Sequence, residues 1–264
     1  MFTQLRAGKS SSRQPKLNRS TVATHDANAT QQGEVECFLN ILHCNIRGFR
    51  TNSPKLFATM KNADSWPTLI LLNETFLPPE YKPTIPGYNL IAARNRREHG
   101  EAHDQGGGIA IFAQTNFAKF VSVVHESKHA ERIWVGVQTL TSRLLVCCWY
   151  RRPDPGEVNS IYSLHSEFAA LTADFNFVSI IGDFNVHEYN WLGHGTQTTL
   201  EGRKLWSFCR SHGLSQKVNG PTLEHSLIDL VLTNARTRSC IVGERISDHR
   251  CVRVTFDFTV QICE

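Results

Sequence analysis

"FVSIIGDFN", Phe177 to Asn185, is the stretch on which the reading of the fold turns. Phe177 to Ile181 are mostly β-branched or aromatic, the composition of a buried strand. Gly182 follows, and then a carboxylate and a carboxamide, Asp183 and Asn185, flank Phe184. Gly, Asp and Asn are common where a strand ends, so turn chemistry accounts for this run if it stands alone. Strand ends also hold polar groups rigidly above a packed sheet, which is where catalytic groups are placed. The rest of the chain decides between the two.

Working outward, strand-like runs recur at Cys37 to Cys44, Thr68 to Leu72, Tyr88 to Ala93, Gly108 to Phe112, Ile133 to Thr139, Leu144 to Tyr150, Leu227 to Leu232 and Val252 to Phe258. Helical patterns are fewer. Ser160 to Ala173 puts Ile161, Leu164, Phe168 and Leu171 on one face, with Asn159 or Ser160 as cap. Leu200 to His212 stops at Gly213, and a shorter helix from Pro54 to Lys61 places its proline in the first turn. Many strands with a few interspersed helices predict an α+β fold: a four-layer α/β sandwich of two mostly antiparallel sheets flanked by helices.

Composition narrows the class. With 41% hydrophobic and 20% charged residues, the chain has the make-up of a globular domain rather than a disordered or fibrous one. Residues 1–35 are the exception: polar, Ser/Thr-rich and mildly basic, they predict a disordered tail before a domain over 36–260. No apolar run approaches bilayer length, so no membrane association is expected. The formal charge of +4 permits an anionic partner. Eight cysteines show no CxxC pair or zinc spacing, which predicts unpaired thiols in the nucleus or cytosol.

Other strand-like runs end as the opening one does. "FLNILHCN" ends at Asn45, "TLILLNE" at Glu74 and "RLLVCCWY" at Tyr150; "SLIDLVL" carries Asp229 within an apolar run, and "ISDHRCVRVTF" sets Asp248 and His249 before the last strand. Each has an ordinary explanation as a turn, cap or satisfied core residue. Asp229 is harder to dismiss, because a buried carboxylate must be paired. Six strand ends finished by metal-ligating or proton-transfer groups suit phosphodiester hydrolysis. That reaction needs a hard cation on oxygen ligands, a carboxylate to align and deprotonate water, and fixed donors for the charge growing on phosphate.

With these residues in view, the sequence from Asn45 to Phe256 resembles the endonuclease/exonuclease/phosphatase family. Within it, the chain looks most like the apurinic-type endonuclease domains of non-LTR retrotransposons. "CNIRG", "LLNETF", "DQGGGIAIF", "WYRRP", "IIGDFNVH", "PTLEHSLIDLVLTN" and "SDHRCV" carry the resemblance. It implies a Mg²⁺-dependent endonuclease (Mn²⁺ being possible) that cuts DNA to leave a 3′-hydroxyl. Glu74 would hold the metal, with Asn45 and Asp248 beside it. Asp183 would activate the water and Asn185 orient the phosphate, while Tyr150 donates to it. His249, braced by Asp229, would polarise the scissile phosphate. Thr222, Arg151 and Arg152 would contact DNA, with Arg94, Arg96, Arg97, Arg203 and Lys204 as further candidates. As a retroelement product it would be monomeric, or fused to or cooperating with a reverse transcriptase, since the sequence has no polymerase box.

Three alternatives stand beside this reading. An apurinic/apyrimidinic-site repair endonuclease shares the same set of residues but has an aromatic-rich context near the fourth carboxylate, where "SLIDLVL" here is apolar and plain. A lipid phosphodiesterase of the same family would carry basic, Trp-rich loops near "GDFN". A non-catalytic nucleic-acid-binding remnant would be expected to have lost part of a polar set that is complete here.

Overall fold

The computed structural model describes residues 34–61, 66–94, 106–194 and 197–263. The expected tail, up to residue 33, and the loop over 95–105 with Arg96 and Arg97 lie outside the described residues. Phe177 to Asp183 form the expected strand, buried at Val178 to Asp183. Gly182 is there for packing rather than for turning: a Cβ would lie 1.8 Å from the Trp149 carbonyl oxygen on the neighbouring strand.

In chain order the elements are β1 (Glu34–Asn45), α1 (Phe49–Lys61), β2 (Leu69–Asn73), β3 (Tyr88–Arg94), β4 (Ile109–Gln114), β5 (Val121–Glu126), β6 (Glu131–Gln138) and β7 (Arg143–Tyr150). Then follow α2 (Asn159–Leu171), β8 (Phe177–Asp183), α3 (Tyr189–Leu192), α4 (Leu200–Ser211), β9 (Ser215–Gln216), β10 (Asp229–Thr233), β11 (Thr237–Arg245) and β12 (Arg250–Cys263). They make two six-stranded sheets, ordered β11-β12-β1-β2-β4-β3 and β5-β6-β7-β8-β10-β9. Each sheet holds one parallel pair at its centre, β1 with β2 and β7 with β8, and every other pairing is antiparallel. A helical crossover joins each parallel pair, α1 in one and α2 in the other, as parallel strands require.

Period-two alternation builds the layers. Leu39 and Ile41 of β1, with Leu69 and Leu71 of β2, join the core that includes the second sheet's strands. Leu42, Cys44, Ile70 and Leu72 point the other way, onto Phe49, Leu56 and Met60 of α1. Ile161, Leu164 and Phe168 of α2 and Leu205 and Phe208 of α4 belong to the first core. The two sheets with helices on their outer faces are the sandwich expected from sequence. Among the described residues no helix is long and apolar enough to cross a membrane.

Some details differ from expectation. Helix α1 starts at Phe49, so Pro54 sits inside it rather than in its first turn. The α2 start is capped from outside, by Glu157 accepting from the Ser160 amide at 2.8 Å and its hydroxyl at 2.6 Å. Strands β5 and β11 lack the apolar run that marks a central strand, because each is a sheet edge with several exposed positions. The eight cysteines are not all unpaired: Cys44 and Cys251 form a disulfide, with Cα atoms 4.5 Å apart. The β1–β12 ladder sets His43 opposite Val252, which brings the next two residues together across the strands. Cys37, Cys147, Cys148, Cys209 and Cys240 are free.

Candidate active site

The carboxyl ends of the two parallel pairs open at the same end of the sandwich. On β1, His43 and Asn45 continue the inward face of Leu39 and Ile41, and on β2 Asn73 continues that of Leu69 and Leu71. In the second sheet, Tyr150 pairs with Asp183 across β7 and β8, and Asp183 pairs with Asp229 across β8 and β10. Apolar side chains thus give way to polar ones at one level of both sheets.

The Asn45 carboxamide spans the gap between the sheets. Its nitrogen donates to Glu74 Oε1 at 3.0 Å and to Asp183 Oδ2 at 2.8 Å, and its oxygen accepts from the Arg47 amide at 3.2 Å. Those three partners fix the orientation of the amide. Asn73, a residue not singled out from sequence, makes a second bridge: its Oδ1 accepts from the Asp183 amide at 2.8 Å. The turns carrying these groups use left-handed backbone at non-glycine residues: φ is 40° at Arg47, 53° at Glu74, 52° at Phe76 and 47° at Asn185. Such conformations cost energy and persist where surrounding bonds over-determine them. Here the Gly48 amide donates to Glu74 O at 2.8 Å and the Phe49 amide to Thr75 O at 2.9 Å.

Asp229 is fully buried and both its oxygens are engaged. His249 Nδ1–H donates to Oδ2 at 2.8 Å, and His43 Nε2–H donates to Oδ1 at 3.0 Å. His43 also went unmarked in the sequence, though its i, i+2 relation to Asn45 puts both on one face. Ligand-type atoms of Asp183, Asp229 and His249 all lie within 4.8 Å of one another. Burial, followed by the nearby Asp229 charge, pushes the Asp183 carboxyl well above the usual carboxylate range, against the pull of His249 and Asn45. Burial also works against the Asp229 anion, yet the hydrogen bonds from His249 and His43 hold its pKa below the ordinary value. Burial disfavours a charged His249, but Asp229, Asp183 and Asp248 together raise it to about 9. At neutral pH the ring is therefore an imidazolium, with Nδ1 committed to Asp229 and Nε2 left for another partner.

Glu74 and Asp248 complete the acidic rim. Arg47 Nε stands 3.8 Å from Glu74 Oε2, while its Nη1 donates to Asp248 Oδ2. The other oxygen of Asp248 is buried and meets no hydrogen-bond donor among the described residues. An orphaned carboxylate oxygen, on a residue that shares Arg47 with Glu74, is the donor chemistry that a hard divalent cation takes. Asp229 has no free oxygen to offer one. Asn185 is half-buried: its backbone N–H donates to Asp183 Oδ1 at 3.2 Å, and its side-chain amide donates to Arg151 O at 2.8 Å.

Four residues expected to touch DNA have partners within the protein. Arg151 is buried and donates to the carbonyls of Arg152, Asn185, Asp154 and Glu157, so it shapes the loop after β7 and presents no free face. Thr222 is buried too, and its hydroxyl oxygen accepts from the Ile228 and Asp229 amides at 3.3 and 3.1 Å, bracing the start of β10. Arg152 is partly exposed, with its Nε 3.8 Å from Asp154. Arg94 is buried and donates to the Ala130 carbonyl at 3.2 Å. Trp191 packs half-buried against the core.

Residues 144–253 match the family model described as endonuclease-reverse transcriptase. No curated protein matches the chain in sequence. The endonuclease domain of TRAS1, a telomere-specific non-LTR retrotransposon, shares 16% identity with a TM-score of 0.63, over 83% of this chain and 98% of that one. The APE2 catalytic domain of Xenopus laevis shares 19% identity with a TM-score of 0.62, over 85% and 93%. The AP endonuclease LMAP of Leishmania major shares 12% identity with a TM-score of 0.62, over 83% and 87%. By sequence over residues 144–253 and by fold over most of its length, the chain resembles the endonuclease/exonuclease/phosphatase family and, within it, the apurinic-type endonucleases.

Proposed function

We propose that the protein is a divalent-metal-dependent endonuclease that hydrolyses DNA phosphodiesters to leave a 3′-hydroxyl. Its setting in this reading is target nicking for a non-LTR retrotransposon, in the nucleus, with reverse transcription supplied by another domain or chain. One observation carries the reading: Asn45 ties Glu74 to Asp183 across two sheets, and the Asp229–His249 pair adjoins Asp183. A carboxylate for water, an imidazolium for phosphate and acidic oxygens for a cation are thereby held together.

Each group has a role in this mechanism. Asp183, at a strand end fixed by Asn45 and Asn73, accepts a proton from the attacking water. His249 Nε2 donates to a non-bridging phosphate oxygen, while Asp229 keeps the ring charged and aimed. Tyr150, level with Asp183, donates to the phosphate or the leaving oxygen, and Asn185 orients the phosphate. Glu74 and Asp248 would hold Mg²⁺, which neutralises phosphate charge and favours the ionised form of Asp183.

Purified protein incubated with supercoiled plasmid, with Mg²⁺ and then with EDTA, tests the chemistry. Metal-dependent nicking with ligatable 3′-hydroxyl ends is expected; no nicking under any divalent ion would refute the reading. End-labelled duplexes, one abasic and one intact and A/T-rich, separate the repair and target-nicking alternatives.

A further inference from the structure

Arg47 has no part in the mechanism above, yet it lies across its acidic rim. The backbone around it is pinned: its amide donates to Asn45 Oδ1 at 3.2 Å, its carbonyl accepts from Asn52 Nδ2 at 3.1 Å, and the Gly48 amide is bound to Glu74 O at 2.8 Å. With φ of 40° the residue sits in a left-handed turn that a long side chain rarely adopts. The side chain is then the part left to move, and it is 53% exposed. Its guanidinium reaches both Glu74 and Asp248 and donates to the latter.

Those are the two carboxylates whose chemistry fits a divalent cation, so Arg47 and the ion compete for the same charges. Resting on the proposed nuclease reading, we infer that Arg47 is a phosphate-binding residue held on Glu74 and Asp248 until a cation displaces it. Three arguments support this exchange. Ion pairs this exposed are weak, so displacement is cheap. A guanidinium and a divalent ion cannot share two carboxylates without repelling each other. The released fork is suited to bidentate contact with non-bridging phosphate oxygens, and Arg47 already lies within electrostatic range of Tyr150. The ligand class is thus the anionic backbone of a nucleic acid, met at the mouth of the site.

The test uses full-length protein and the variants Arg47→Gln and Arg47→Lys, with thermal melts to show that each is folded. Calorimetric titration of Mg²⁺ into DNA-free protein should find Arg47→Gln binding the ion about fivefold tighter, the size expected for relieving an exposed ion pair. Duplex binding is then measured against salt with Ca²⁺ in place of Mg²⁺. The slope of log affinity should fall by about one in Arg47→Gln and stay at the wild-type value in Arg47→Lys. Unchanged or weaker Mg²⁺ binding in Arg47→Gln, no Mg²⁺ binding in any protein, or an unchanged salt slope would each overturn the inference. Failure of the nuclease reading is distinguishable, because it shows as absent nicking by wild type whatever the calorimetry gives.

Discussion

Asp183 and Asp229 face each other in register across β8 and β10, both buried, and their surroundings drive their protonation in opposite directions. Asp229 has two imidazole donors, so its negative charge is compensated where it lies. Asp183 accepts from the Asn45 amide and a backbone N–H, but burial and the neighbouring anion outweigh these and the pull of His249. Two like charges this close separate their titrations, and the one left protonated longer is suited to proton transfer. The ladder pairing therefore assigns different work to two chemically identical side chains.

Replacing the braced partner tests that division. Asp229→Asn removes the charge that keeps His249 protonated, so the His249 pKa should fall from about 9 to the ordinary histidine value or below. A pKa raised in the folded state contributes stability that is fully present below the unfolded value and is lost as pH rises through the folded one. Wild-type metal-free protein should therefore lose stability between about pH 6.5 and pH 9, on the order of 3 kcal/mol from this ring, and the variant should not. Nicking at neutral pH should drop about 100- to 1,000-fold, as when a fixed donor to a developing oxyanion is lost. Histidine NMR titration without metal reads the pKa directly, and an unmoved His249 would contradict the pairing.

Asp183 gives a signature of the same sign that begins at lower pH. Its folded pKa is raised, so stability is lost as pH climbs from the unfolded carboxylate value, about 4, toward the folded one. Asp183→Ala should flatten that part of the stability profile in EDTA while reducing nicking at least about 1,000-fold. Denaturant melts at a series of pH values make the comparison. A variant whose stability falls with pH as steeply as wild type would show that the buried carboxyl is not perturbed.

The sequence showed these two aspartates, and Glu74, Tyr150 and His249 with them, because each interrupts or ends an apolar run. Central strands were legible for the same reason: burial on both faces of β2 and β8 leaves continuous hydrophobic stretches. Edge strands β5 and β11 were not, since half-solvated edges mix polar and apolar residues. His43 lay inside a run already assigned to the core, betrayed only by its parity with Asn45, and Asn73 lay directly after such a run, betrayed only by its parity with Leu69 and Leu71. Arg151 and Thr222 look exposed in one dimension because nothing local says which carbonyls or amides will close over them. Their partners at Asp154, Glu157 and Asp229 depend on how the loops fold back.

Gly182 turns the opening ambiguity into a measurable expectation. An added Cβ would meet the Trp149 carbonyl oxygen at 1.8 Å and its carbon at 2.8 Å, both backbone atoms that cannot rotate away. Gly182→Ala should cost about 3 kcal/mol or more, since the β7–β8 pair must spread at the residue beside Asp183. If Gly182 served only as a flexible strand end, the same change would be nearly neutral or stabilising. Thermal denaturation of the metal-free variant separates these outcomes.

The Cys44–Cys251 bond clips together the ends of β1 and β12 that lead to Asn45 and His249, across 207 residues of sequence. The same two strands are held by a ladder running from Glu34 opposite Cys263 to His43 opposite Val252, so the pairing does not depend on sulfur alone. Reduction should therefore lower the melting temperature without unfolding the protein. Losing a native disulfide costs about 2–5 kcal/mol, roughly 5 to 15 °C for a domain of this size. Nicking well below the reduced melting point should stay within about twofold of the oxidised rate, because His249 keeps Asp229 and the Ser247 hydroxyl keeps its 2.7 Å hydrogen bond to Asn45 O. Thiol titration of denatured protein before and after reduction establishes whether the bond is present. A reduced protein that is folded but inactive would mean that the clip, rather than the hydrogen bonds, sets the distance between the two sheets' catalytic groups. Such an enzyme could not act in a reducing compartment such as the nucleus, where cross-strand thiols stay unpaired.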